Sequence, residues 1–229
     1  FKFRWARITD LPVRVKRIFD LGHACEEILI ASLRSAGVEI TREQEEVPGW
    51  GGHIWGFIDG VASGVPEAPD TDHLWEGKSM NDRIFKTVKK NGVKKAKIDH
   101  YVQMQMYMGK KDLTRALYTA INKNDSEIYV ERIKFNKPDY REYMLRGMDV
   151  IGHENPPPNL FQDPTKQACR WCDFAPICYD NEPILKSCRS CQHSDIEEDG
   201  KWSCGMTSKM LSIEEQEAGC GKYSLIEMK

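Results

Sequence analysis

The chain has 229 residues, 40% of them hydrophobic, 30% charged and 10% aromatic, a composition that belongs to a globular protein with a proper core and argues against a disordered or fibrous one. No apolar run exceeds five residues even when glycine is counted, so neither a membrane-spanning helix nor the apolar segment of a signal peptide is expected. The formal net charge is -2, and any partnership with nucleic acid must therefore come from local patches.

The chain opens on Phe1-Lys2-Phe3-Arg4-Trp5 without a Met, so a native stretch is expected upstream. From Ile18 to about Ala36, the residues Leu21, Cys25, Ile28 and Leu29 recur at helical spacing, and Gly37 supplies the stop of a first helix. Residues 38–47, 53–61 and 73–78 read as three strands, separated by turns at Pro48-Gly49 and from Gly64 to Asp70. Helices are predicted over 82–90 and 99–109, strands over 114–121 and 127–135, and a closing helix over 140–151. This order predicts an α/β core with a mixed central sheet, αβββαβ in its essentials. The Pro-rich segment Asn155-Pro156-Pro157-Pro158-Asn159 cannot continue a helix and reads as a linker.

Seven of the eight cysteines fall after residue 168. The domain expectation is a core over 1–165, a cysteine segment over 166–182 and a metal-organised module over 183–229. Without a secretory signal, thiolates for metal in a cytoplasmic chain are a more natural reading than disulfides. Cys188-x2-Cys191-x12-Cys204-x15-Cys220 is a complete four-thiolate set of the zinc-ribbon kind, with Gly200, Gly205, Gly219 and Gly221 allowing tight knuckles around Zn2+. His193 could replace one thiolate, but four cysteines suffice. So few large apolar side chains (Trp202, Leu211, Ile213, Tyr223) predict that metal binding supplies this module's folding energy.

Between Arg83 and Lys97 lie seven cations (Arg83, Lys86, Lys89, Lys90, Lys94, Lys95, Lys97) and no acid. The segment reads either as a phosphate-contacting surface or as a solvated helix face. Residues 1–22 carry six cations against two acids, whereas 182–229 carries nine acids against six cations, so a DNA-facing side is not expected in the tail.

Gly56-Phe57-Ile58-Asp59-Gly60 places an acid on a strand otherwise built of apolar residues, flanked by glycines that would let a backbone or ligand approach. In Glu76-Gly77-Lys78, the strand period of two aims a second carboxylate and an ammonium at one face. Neighbouring strands would bring Asp59 and Glu76 within reach of one cation, which relieves their mutual repulsion. Few oxygen ligands with open positions suit Mg2+ or Mn2+, and Lys78 could polarise a water or stabilise a scissile phosphate, the parts of metal-assisted phosphodiester hydrolysis.

Asp59, Glu76-x-Lys78 and Gln103-x3-Tyr107 resemble the PD-(D/E)XK nuclease superfamily, and look most like its RecB-type exonuclease branch, which includes CRISPR-adaptation nucleases and stand-alone phage enzymes. The resemblance covers roughly residues 15–180 and implies a restriction-endonuclease-like αβββαβ core and a metal-dependent DNA exonuclease in the bacterial or phage-infected cytoplasm. It would act at single-stranded ends in recombination, replication or repair. It also implies that Asp59 and Glu76 are metal ligands, that Lys78 is the catalytic lysine, and that Gln103 and Tyr107 support it. Gly22-His23-Ala24-Cys25-Glu26 is similar to the family's first motif, which would put Glu26 beside the metal and leave Glu27 solvent-facing; many relatives have His there. Cys169-x2-Cys172-x5-Cys178 is similar to the branch's iron-sulfur triplet, with Trp171 and Phe174 packed around it. A 4Fe-4S cluster needs a fourth thiolate, either Cys25 or a cysteine upstream of this chain, Cys25 otherwise being a core thiol. His53 reads as structural or as a DNA contact. The competing readings are a DNA-end-binding or partner-binding module with a vestigial acid site, and a zinc-dependent structural adaptor.

Overall fold

The computed structural model describes residues 11–48, 54–152, 161, 163–170, 172–180, 182–197 and 201–226. His53, Trp171, Gly200, the opening Phe1 to Trp5 segment and the Pro-rich linker lie outside them. The chain forms two compact units, one of Leu11–Gly49 with Ile54–Gly147 and a second that takes in Met148 onward.

In the first unit, helix α1 (Val13–Ser35) is followed by β1 (Glu39–Thr41), β2 (Glu46–Pro48), β3 (Trp55–Phe57), β4 (Gly60–Ser63) and β5 (His73–Met80). Then come α2 (Asp82–Asn91), α3 (Val93–Ala96), α4 (Ile98–Lys111), β6 (Arg115–Asn122), β7 (Ile128–Lys134) and α5 (Lys137–Gly152). The central sheet is mixed, in the order β1-β4-β5-β6-β7. Its one parallel pair, β5 with β6, requires a crossover, and α2 to α4 supply it.

Two of the three expected early strands are broken. Arg42 and Gln44, at φ 53° and 54°, turn the chain between β1 and β2, so β2 leaves the main sheet and pairs instead with β3. The strand expected over 53–61 is interrupted at Ile58-Asp59, which puts Asp59 at a bend between β3 and β4. Beyond β5 the elements fall close to expectation, because long periodic segments on a buried sheet leave little choice.

β5 is buried from His73 to Gly77, as befits a central strand covered on both faces. Its odd and even residues feed two apolar clusters. Leu74 joins Phe85, Val88, Met104, Met108 and Tyr118 on the face of α2 and α4. Trp75 joins Cys25, Leu29, Ile30, Leu117 and Ile121 on the face of α1. Of the four apolar residues expected to form α1's buried stripe, Cys25 and Leu29 are buried but Leu21 and Ile28 are exposed. At 100° per residue, Cys25, Leu29 and Leu33 stack on one side while Ile28 points round from it.

The second unit contains α6 (Gln167–Arg170), α7 (Ala175–Tyr179), a 3-10 turn at Cys188–Ser190, an antiparallel sheet of β8 (Ser194–Ile196), β9 (Trp202–Cys204) and β10 (Lys209–Leu211), and α8 (Ile213–Ala218). No helix among the described residues is long and apolar enough to cross a membrane.

Candidate active site

Alternation along β5 turns Glu76 and Lys78 to the same face as Leu74, beneath α4. The bend at Asp59 delivers its carboxylate to that pair. Lys78 Nζ lies 2.6 Å from Glu76 Oε1 and 3.2 Å from Asp59 Oδ2, and the amide of Gly77 donates to Asp59 Oδ2 at 2.9 Å. The side chains are graded in exposure, Glu76 at 0%, Asp59 at 13% and Lys78 at 24%, so the site opens to solvent past Asp59 and Lys78.

Glu76 is the anomaly of the molecule. Both its carboxylate oxygens are buried; Oε1 meets the Lys78 ammonium at 2.6 Å and Oε2 has no hydrogen-bond partner among the described residues. A buried carboxylate left so poorly solvated is costly. Burial pushes its pKa well above the ordinary carboxylate range; Lys78 opposes this, while Asp59 and Glu26 add to it. Burial alone would lower Lys78, but the carboxylates of Glu76 and Asp59 outweigh it and hold the ammonium charged.

Glu26, from α1, stands within electrostatic reach of Asp59 and Lys78, its pKa raised by burial first and by Asp59 second. Its neighbour Glu27 is exposed. Tyr107, from α4, has its hydroxyl raised by burial and then by Glu76, with Gln103 as its side-chain hydrogen-bond partner. Thus Glu26, Asp59, Glu76, Lys78 and Tyr107 lie within electrostatic reach of one another, and Gln103 joins them through Tyr107.

Of the glycines around Asp59, Gly60 admits a neighbouring backbone as expected, with the Thr41 carbonyl 3.1 Å from where its Cβ would be, and both admit side chains. A Cβ on Gly56 would lie 2.1 Å from the Tyr107 hydroxyl, and one on Gly60 would lie 2.9 Å from the Ile40 side chain. They admit the protein's own side chains, and Gly56 is what lets Tyr107 reach the site.

Two members of the group escaped the sequence reading. Tyr118 on β6 is in register with Glu76, and its hydroxyl lies 2.8 Å from His100 Nδ1. Burial lowers His100 to about 4, so the ring is neutral at pH 7. With Nε2 facing Asp99 Oδ2 at 3.7 Å, the tautomer protonated on Nε2 lets the tyrosine hydroxyl donate to Nδ1. His100, Gln103 and Tyr107 recur at i, i+3 and i+7 on α4, a helical-face signal that was present in the chain.

Among the described residues no group of three His, Cys, Asp or Glu side chains is arranged as a finished metal site. The donor chemistry nevertheless fits a divalent cation. Glu76 offers a buried carboxylate whose Oε1 meets only the Lys78 ammonium and whose Oε2 has no hydrogen-bond partner, Asp59 and Glu26 supply further hard oxygens from the open side, and Lys78 stands between the acids as an ammonium does where positive charge is needed.

The basic run is partly neutralised. Lys86 pairs with Asp82 at 2.8 Å, Lys94 with Asp139 at 2.7 Å, Lys97 with Asp99 at 2.9 Å, and Lys89 with Glu127. Arg83, Lys90 and Lys95 are exposed and have no ion-pair partner among the described residues.

In the second unit, Cys169, Cys172 and Cys178 stand close enough that the thiol of Cys178, raised mainly by burial, also feels the other two. Cys169 Sγ contacts the Tyr179 hydroxyl at 3.2 Å, and that hydroxyl donates to Phe161 O at 2.6 Å. Cys25 is buried in the apolar cluster of α1, the setting of a core thiol. Cys188, Cys191, Cys204 and Cys220 line one cavity of about 30 Å³.

No family model matches the chain, and no curated protein does. Among solved structures, it is similar to an alkaline exonuclease, LHK-Exo, from Laribacter hongkongensis, at 18% identity and a TM-score of 0.45 over 62% of this chain and 68% of that one. LHK-Exo in complex with dAMP matches at 17% and 0.43 over 63% and 68%. The protein SSO0001 matches at 17% and 0.42 over 69% of each chain.

Proposed function

We propose that the protein is a metal-dependent deoxyribonuclease of the PD-(D/E)XK superfamily, RecB-type branch, that hydrolyses phosphodiester bonds at single-stranded DNA ends in recombination, replication or repair. The observation that carries this reading is Lys78 held between Glu76 and Asp59, with the Glu76 carboxylate fully buried, one oxygen against the Lys78 ammonium and the other without a hydrogen-bond partner. A purely structural buried ion pair would satisfy both carboxylate oxygens, whereas here Oε2 is left for a cation.

Asp59, Glu76 and Glu26 would hold Mg2+ or Mn2+, which when bound lowers the pKa of a water and neutralises charge on the phosphate. Lys78 stabilises the negative charge that develops on the scissile phosphate, and Asp59 with Gly77 fixes where its ammonium stands. Tyr107 and Gln103 wall the site from α4, and neutral His100 orients the Tyr118 hydroxyl behind Glu76. Arg83, Lys90 and Lys95 grip the DNA backbone without reading bases. The thiols of Cys169, Cys172 and Cys178 would be three of four ligands of a structural iron-sulfur cluster, their closeness in the second unit supporting this.

Cleavage of end-labelled single-stranded and duplex DNA with Mg2+ or Mn2+ tests the reading. Wild type is expected to cut only with metal, and Lys78→Ala and Asp59→Asn to lose about 10²-fold or more. Undiminished cutting by Lys78→Ala overturns the reading, and DNA binding without metal-dependent cutting leaves an end-binding module instead.

A further inference from the structure

We propose that Cys188, Cys191, Cys204 and Cys220 hold one zinc ion, and that this ion is what folds the segment from Ser187 to Ile226. The inference is independent of the nuclease reading.

The four cysteines, from different elements, line one cavity of about 30 Å³, room for a single small ion, although their side chains do not stand in finished ligand geometry. Cys188 and Cys191 bracket a 3-10 turn in which the Cys191 amide donates to Cys188 O at 3.1 Å. Cys204 ends β9 and Cys220 follows α8, and each carbonyl accepts from an amide three residues on, Thr207 N at 3.2 Å and Tyr223 N at 3.1 Å. The same short turn thus follows three of the ligands, freeing the sulfurs to face inward.

The module's interior cannot hold it together. Among the described residues, its buried ones are Trp202, Ile226 and Cys191, together with the polar Ser187, Ser190, Ser194 and Gln216. Its three strands are three residues long each. That much apolar burial does not offset the entropy of ordering some forty residues, so another source of stability is needed. None of the four cysteines is in a disulfide, which leaves metal as the staple. Soft thiolates in a set of four select tetrahedral Zn2+ over Mg2+ or Mn2+. Lys222, which also lines the cavity, offsets part of the negative charge that four thiolates leave on a divalent ion. The thiols give up their protons to the buffer on binding.

Elemental analysis of the full chain, purified without chelator, is expected to find about one zinc ion per chain. Cys204→Ser and Cys220→Ser are each expected to cut that below about a tenth, whereas His193→Ala keeps it. Because the cysteine variants are expected to unfold this segment, folded wild type is also titrated with an organomercurial, and zinc should be released in step with the modification of four thiols. Cobalt-substituted protein should show the visible absorption of a tetrahedral thiolate site. Zinc absent from protein with four free thiols, the four thiols found as disulfides, or zinc retained in both serine variants overturns the proposal. Asp59→Asn should leave zinc content unchanged, so loss of cleavage and loss of zinc report on separate sites.

Discussion

The amide of Gly77 donates to Asp59 Oδ2 at 2.9 Å, so the residue that separates Glu76 from Lys78 also anchors the acid that faces them. The backbone of β5 therefore presents one acid and one ammonium by side chain and pins the second acid by main chain. Three charges are held by one strand, and their spacing does not depend on side-chain rotamers alone.

Glu76→Gln removes a buried charge whose Oε2 has no hydrogen-bond partner. The metal-free variant should melt no lower than wild type while losing cleavage about 10²-fold or more, a trade of activity against stability. Mg2+ or Mn2+ at a hundredfold over its Kd should raise the wild-type Tm by about 5–10 °C and leave the variant's unchanged. Equal shifts in scanning fluorimetry would take the ion away from Glu76.

A Cβ at Gly56 collides with the Tyr107 hydroxyl, 2.1 Å away. Gly56→Ala should destabilise the fold by about 1–3 kcal/mol and reduce cleavage by displacing Tyr107. In Tyr107→Phe the colliding oxygen is absent, so the added cost of Gly56→Ala should be smaller there. A double-mutant cycle by urea denaturation reads the coupling, and additive effects would count against the contact.

Arg83, Lys90 and Lys95 lack ion-pair partners among the described residues, whereas Lys86, Lys89 and Lys94 already face acids. Replacing the first three by Ala should weaken single-stranded DNA binding at every sequence and flatten the slope of log K against log salt by about 2. Replacing the second three should change it less. Equal slopes for the two triple variants would show that the exposed set is only a solvated face.

His100 sits folded at about 4, below its ordinary 6.5, because burial disfavours the imidazolium. Between these values the unfolded chain binds the extra proton and the folded one does not, so this contribution is present above about pH 6.5 and is lost as pH falls toward 4. Denaturation midpoints of wild type should fall over that window more steeply than those of His100→Gln. Parallel curves would place the His100 proton elsewhere.

Asp59, Glu76 and Lys78 could be singled out in the chain because strand alternation and an acid among apolar residues are local signals, whereas Gln103 and Tyr107 were singled out only by the family resemblance. His100 stands at helical spacing from both but reads as a site residue only once Tyr118, eighteen positions on, is known to stand opposite it. Half the meaning of the basic run was hidden for a like reason, since Lys89 and Lys94 find Glu127 and Asp139 across 38 and 45 residues.

What the amino-acid order determined by itself was periodicity: a helix, a mixed sheet, an acid-lysine pair on one strand face with a second acid close before that strand, and cysteines grouped at ligand spacings. Tertiary structure alone decided where the chain bends at Asp59, that the glycines beside it receive Tyr107 and Ile40, and that Glu76 is sealed with Lys78 as the one partner of its carboxylate among the described residues. Hydrophobic pattern acts over a few residues and can be read along a line, whereas burial and the partner of a charge are properties of surfaces that meet only after folding.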